Sequence, residues 1–163
     1  MGKSNHWRDS TLFRERVIRL VHELGDDLKI EEFIHYPPKL KMIIRGTYKS
    51  RKTRIEFHGA PGTPLLAAVV EVYIAYLGRD VPAAFIECMR ECVEEEKVHI
   101  LDRDSSIIIA APTSSDTSAD ELRTVYERLF THEPELKDLL SKNLNALCPV
   151  DVHIEGDEAV VLH

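Results

Sequence analysis

The reading of the fold turns on Thr63 to Lys97, TPLLAAVVEVYIAYLGRDVPAAFIECMRECVEEEK. Its first half, Leu65 to Leu77, is apolar everywhere except Glu71. Such a run is stable only when nearly all its sides are buried. It is too short for a bilayer, which needs about 20 apolar residues. The β-branched residues Val69, Val70, Val72 and Ile74 would suit a strand. Thr63 as N-cap, Pro64 at the first helical position and Gly78 just past the end argue instead for a helix. The stretch is therefore expected to form two helices, turned about Gly78-Arg79-Asp80, with the second running from Pro82 to about Glu96. That second helix has an apolar side of Phe85, Ile86, Met89, Cys92 and Val93, and an acidic row of Glu87, Glu91, Glu94 and Glu95.

Outward from this centre, residues 1 to 9 are polar apart from Trp7 and are expected to be loose. Phe13, Val17, Leu20, Val21 and Leu24 fall at helical spacing and predict an amphipathic helix from Ser10 to Gly25. Leu28 to Tyr36 reads as a strand stopped by Pro37-Pro38. Leu40 to Tyr48 and Ile55 to Phe57 alternate about a turn near Lys49-Ser50-Arg51-Lys52, which predicts a hairpin. Val98 to Ala111 predicts a second hairpin, in which Ile107-Ile108-Ile109 forms a strand buried on both faces. Ser118 and Glu121 have the spacing of a capping box, and Pro134 is expected to open a further helix. Val150 to Leu162 reads as a third hairpin around Gly156-Asp157.

The predicted order is α-βββ-αα-ββ-αα-ββ. Because the strands come in hairpins, the class is α+β with a mainly antiparallel sheet and helices packed on it. No linker composition interrupts residues 10–163, which are expected to form a single domain. This order around an acidic body resembles that of small dimeric secretion-chaperone-like folds. The likeness is one of element order; it covers no motif and carries no residue across.

The odd cysteine count (Cys88, Cys92 and Cys148) does not build a disulfide framework, and MGKSNHWRDS has no apolar signal core. A cytoplasmic protein without a membrane partner is expected. Nucleotide-binding loops, zinc-protease motifs and nucleophile elbows are all missing, so no cofactor is expected and an enzyme is not the leading reading. Cys88, Cys92 and His99 match no usual zinc module, and Cys92 falls on the apolar side, so the pair reads as core packing with no metal. The glutamate row reads as a solvated face. Glu71, if buried, must be paired or protonated, and Arg79 is the nearby candidate cation. Glu71 or His58 would be the centre of any small enzyme. Residues 57–63, FHGAPGT, and 113–118, TSSDTS, could hold an anion but read more simply as connectors.

Charge is the strongest functional signal. The net charge is −7, yet Lys39 to Arg54 holds seven basic residues and no acidic one. The other 14 basic residues face 28 acidic ones, so the body carries −14. The sequence thus predicts a protein-interaction module, of adaptor or chaperone-like kind, that binds a protein partner or a second copy of itself, as a homo-oligomer. Its binding residues would be Lys41, Arg45, Lys49, Arg51, Lys52, Arg54 and His58. RNA or DNA is the alternative ligand of that ribbon. No aromatic residue interleaves its basic face to stack bases.

Overall fold

A computed structural model of the chain describes residues 2–37, 39–78, 80–93, 97–147, 151–154 and 159–161, with side chains described from 8 to 142 within those ranges. Arg79, Glu94, Glu95, Cys148, Val150 and the Gly156-Asp157 turn lie outside the described residues.

Helix α1 spans Gly2–Leu24 and is followed by a short 3-10 turn, Gly25–Asp27. It starts eight residues before the expected Ser10. Strands β1 (Leu28–His35), β2 (Lys41–Tyr48) and β3 (Arg51–Gly59) come next, then β4 (Leu66–Tyr76). Helix α2 is Ala83–Cys92, β5 is His99–Arg103 and β6 is Ser106–Pro112. Helix α3 runs from Ala119 to Leu147, and β7 (Asp151–Ile154) and β8 (Ala159–Val161) close the chain. The strands form an antiparallel open sheet in the order β1-β2-β3-β4-β6-β5, with the β7–β8 hairpin joined to β4. The class is α+β, as the hairpin pattern predicts.

Two expectations are corrected. Leu66–Tyr76 is a strand, where a helix was expected. Leu66, Ala68, Val70, Val72 and Ile74 are buried along one face, and Glu71 and Ala75 are buried on the other. Apolar character on all sides is what a strand covered on both faces requires, and the β-branched residues satisfy it without helical crowding. Thr63 does not cap a helix; its hydroxyl accepts the Leu65 N–H at 3.2 Å, a local turn. Gly78, at φ +70°, turns the chain out of a strand and not off a helix end.

The second correction concerns Pro134, which lies inside one long helix and does not open a new one. A proline there deletes a hydrogen bond and costs about 3 kcal/mol. The apolar stripe Leu122, Val125, Tyr126, Leu129, Leu136 and Leu140 is buried through and beyond it. Burial of Leu136 and Leu140, at about 1.5–3 kcal/mol each, is enough to carry the helix past the break. The capping box at the start of α3 is half formed. Ser118 Oγ accepts the Glu121 N–H at 3.1 Å, while the Glu121 carboxylate takes hydrogen bonds from the Ser114 N–H and hydroxyl at 3.0 and 2.8 Å.

By internal contacts the chain divides into two units, Met1–Val70 with Pro112–Val125, and Glu71–Ala111 with Tyr126–His163. In the first, α1 lays Phe13, Val17, Leu20 and Leu24 into a core with Met42, Ile44, Tyr48, Ile55 and Phe57, which the pleat places on one face of β2 and β3. In the second, Ile107, Ile108 and Ile109 are all fully buried, as expected, and α2 buries Phe85, Ile86 and Met89.

Candidate binding ribbon

Within the first unit, β2 and β3 pair from Lys41↔His58 to Tyr48↔Arg51 without a slip. The two residues between, Lys49 and Ser50, have φ of 48° and 70°. Positive φ at both central positions is the conformation whose twist suits a two-residue hairpin, although asparagine and glycine adopt it more readily than lysine and serine. The tight turn fixes the register, and the register decides which charges share a face.

One face of the ribbon carries Lys41, Arg45, Lys52, Arg54 and His58, together with Glu56. The opposite face is the core face, and Arg51 shares it with its partner Tyr48. Arg51 therefore does not join the others; its guanidinium donates to the Lys49 carbonyl at 3.2 Å, across the turn. Lys49 sits in that turn with its ammonium 5.8 Å from the centre of the Tyr48 ring. The seven expected binding residues thus split into five on one face and two at the tip.

The face is not a row of bare cations. Glu56 collects Lys41 at 3.4 Å, Arg54 at 3.2 Å and His58 at 2.9 Å. Burial pulls the Glu56 carboxyl upward, but the His58 hydrogen bond and the charges of Arg54, His58 and Lys41 outweigh it and hold its pKa below the ordinary value. Arg54 is drawn in with it, its side chain only 13% exposed. On the neighbouring strand, Glu32 pairs with Arg45 at 3.1 Å, both half exposed. Lys29 of β1 lies opposite Thr47 on the same face. With Glu31, which shares the irregularity opposite Arg45 with Glu32, the face holds five cations (Lys29, Lys41, Arg45, Lys52 and Arg54) against three carboxylates, and stays basic. Glu32 and Glu56 are the counter-ions that a charge count from Lys39 to Arg54 leaves out, although the alternation that puts Arg54 and His58 on the wet face puts Glu56 there too. Tyr36, beyond β1, is exposed, with the Lys41 ammonium 5.5 Å from its ring centre.

Gly46 and Gly59 tie the ribbon to its neighbours. A Cβ on Gly46 would fall 1.9 Å from the Lys29 carbonyl oxygen, next to the irregularity in β1 between Ile30 and Glu32. One on Gly59 would fall 2.8 Å from the Phe13 ring. At both positions only glycine lets backbone or helix come so close.

The other candidates resolve in the second unit. Glu71 is buried and paired, its carboxylate 2.7 Å from Arg103 on β5; Arg79, the cation expected for it, lies outside the described residues. The expectation that the cysteine pair packs in the core is corrected for Cys88, which is exposed because it falls off the buried Phe85-Ile86-Met89 side of α2; Cys92 is half buried. Burial, aided by Glu135, Cys88 and Glu91, raises the Cys92 thiol pKa, which disfavours the thiolate that metal binding and nucleophilic attack require. Glu87 is ion-paired with Arg90 one turn on. Among the described residues no three His, Cys, Asp or Glu side chains converge as a metal site, and no helix is long and apolar enough to cross a membrane.

No protein-family model, curated protein or solved structure matches the chain.

Proposed function

We propose that the chain is a protein-interaction module, adaptor-like or chaperone-like, that docks an acidic protein segment on the basic face of the β1–β3 ribbon. The observation carrying this reading is the excess of five cations over three carboxylates on one sheet face of a chain with net charge −7. A rigid sheet holds these groups at strand spacing, which favours an extended or helical acidic segment over a point ligand. Long-range attraction of such a face raises the association rate and makes binding salt-dependent. The acidic segment belongs either to another protein or to a second copy, whose α2 exposes Glu91.

The test is a titration of the chain with a labelled hexaglutamate peptide and with a single-stranded RNA of equal charge, at low and at physiological salt. The proposal predicts peptide binding that weakens with salt and falls at least tenfold in the Arg45→Glu/Lys52→Glu variant. RNA binding in place of peptide binding transfers the ribbon to nucleic acid, and no binding of either at low salt ends the proposal. Light scattering at the same two salt concentrations reads out self-association.

A further inference from the structure

Next to the ribbon, in the same unit, residues 8–19 of α1 and the segment 59–66 line an open cleft of about 870 Å³. Its lining is apolar where it is deepest, with Phe13, Leu40 and Leu66, and keeps Leu12 and Leu65 54% and 44% exposed. Large apolar side chains left in water side by side in a concave site are the mark of a surface that is covered in use. Arg8, Arg16 and Arg19 flank Leu12 along the same side of α1, at helical spacing, and line the cleft with two carboxylates, Asp9 and Glu15. The walls are tied to each other. The Gly62 N–H donates to Asp9 at 3.2 Å, and Arg16 donates to the Pro64 carbonyl at 3.1 Å and to Asp116 at 2.5 Å.

A smaller cleft of about 510 Å³ continues from it, sharing Asp9, Leu40, Gly59 and Pro61 and adding Lys39, Lys41 and His58. The two together make a track whose exposed leucines all lie in the larger cleft, beside its arginines, and whose smaller cleft offers Lys39 and Lys41 where it meets the ribbon. A compact ligand would use one end; a linear one uses both.

We infer that this track seats a linear segment of a protein partner in which leucine-like side chains are followed by carboxylates. The apolar side chains enter between Leu12 and Leu65, and the carboxylates lie along Lys39 and Lys41, with Arg8 and Arg19 at the rim. The inference rests on the ribbon's role as an acidic-segment dock, and it adds where the segment enters and what chemistry precedes its charges. Burial of the leucines supplies affinity, and the lysines fix direction and register.

The experiment titrates the full chain with two fluorescein-labelled peptides, one with four leucines followed by four glutamates and one of glutamates alone. Variants are Leu12→Asp, Leu65→Asp and Lys39→Glu/Lys41→Glu, each checked by circular dichroism, with Leu65→Ser replacing any that misfolds. The leucine–glutamate peptide is expected to bind at least tenfold more tightly than the all-glutamate one. Leu12→Asp and Leu65→Asp remove that advantage and leave the all-glutamate peptide unchanged, whereas Lys39→Glu/Lys41→Glu weakens both. Equal binding of the two peptides, or indifference to the leucine substitutions, overturns the track while leaving the ribbon reading in place. Binding of neither peptide overturns both. Saturable binding of dodecanoate at Leu65 without binding of either peptide assigns the cleft to a small amphiphile and overturns the segment proposal.

Discussion

Strands β3 and β4 follow one another in the chain and are built on opposite plans. β3 alternates: Thr53, Ile55 and Phe57 are buried, while Lys52, Arg54, Glu56 and His58 line the other face. β4 does not alternate in polarity; it is apolar throughout except for Glu71, and even Glu71 is only 2% exposed. A strand with one wet face displays chemistry to partners, and a strand with none spends its side chains on the core. The two glutamates follow the same division. Glu56 gathers Lys41, Arg54 and the His58 ring at the surface, and the buried Glu71 pairs with Arg103.

The sharpest way to break this comparison is to move a charge from one strand to the other. Val72→Lys places an ammonium at a position with no exposure, and the expected result is loss of the cooperative unfolding transition at 25 °C. Lys52→Glu on β3 should shift stability by no more than about 0.5 kcal/mol, because that side chain is already in water. Urea unfolding of both variants checks the pair, and similar losses would erase the distinction.

That contrast also explains which parts of the fold were legible in the sequence. Where one face is wet, alternation gives strand, register and face together; Met42, Ile44, Ile55 and Phe57 were readable as core for this reason. Where both faces are covered, periodicity carries no information, and Thr63, Pro64 and Gly78 then imitate helix punctuation around β4. Only the density of β-branched residues pointed the other way. The reverse happened at Pro134, where a strong local stop was overridden by an apolar stripe that continues on its far side. At the ribbon, alternation placed Glu56 beside the cations but could not place Glu32, which becomes the neighbour of Arg45 only through strand pairing. The cleft was illegible altogether: Leu12 and Leu65 lie 53 positions apart, and no local pattern joins them.

A smaller effect sharpens the difference between the glutamates. Arg103→Ala removes a cation from the buried Glu71 carboxylate and is expected to cost about 2–3 kcal/mol, toward the low end for a broken buried pair because Arg103 is partly solvated. Glu71→Leu leaves the half-exposed guanidinium in water and should cost less than about 1 kcal/mol. Equal costs measured by denaturant titration would mean that the pair is no more than a surface contact.

The smallest expected effect is on pH dependence. His35 shares a 3.2 Å hydrogen bond with the buried Ser10 and packs 6.2 Å, centre to centre, from the Phe13 ring. Burial, and then the charge of Arg14, lower its pKa below the ordinary 6.5, so the folded chain favours the neutral ring. Its contribution is complete above that ordinary value and is lost as pH falls through the lower folded value. Melting temperatures between pH 7.5 and 5 should therefore decline less in His35→Gln than in the parent chain. An unchanged slope would remove His35 as a contributor.

The most direct test of the docking surface is a backbone amide chemical-shift map of the full chain titrated with the leucine–glutamate peptide at low salt. The expected perturbations cluster in residues 39–58 and 59–66 and in residues 8–19 of α1, and they shrink as salt is raised. Shifts concentrated on α2, or saturable binding with those ribbon and cleft amides unmoved, would contradict the assignment of this face as the place where the partner docks.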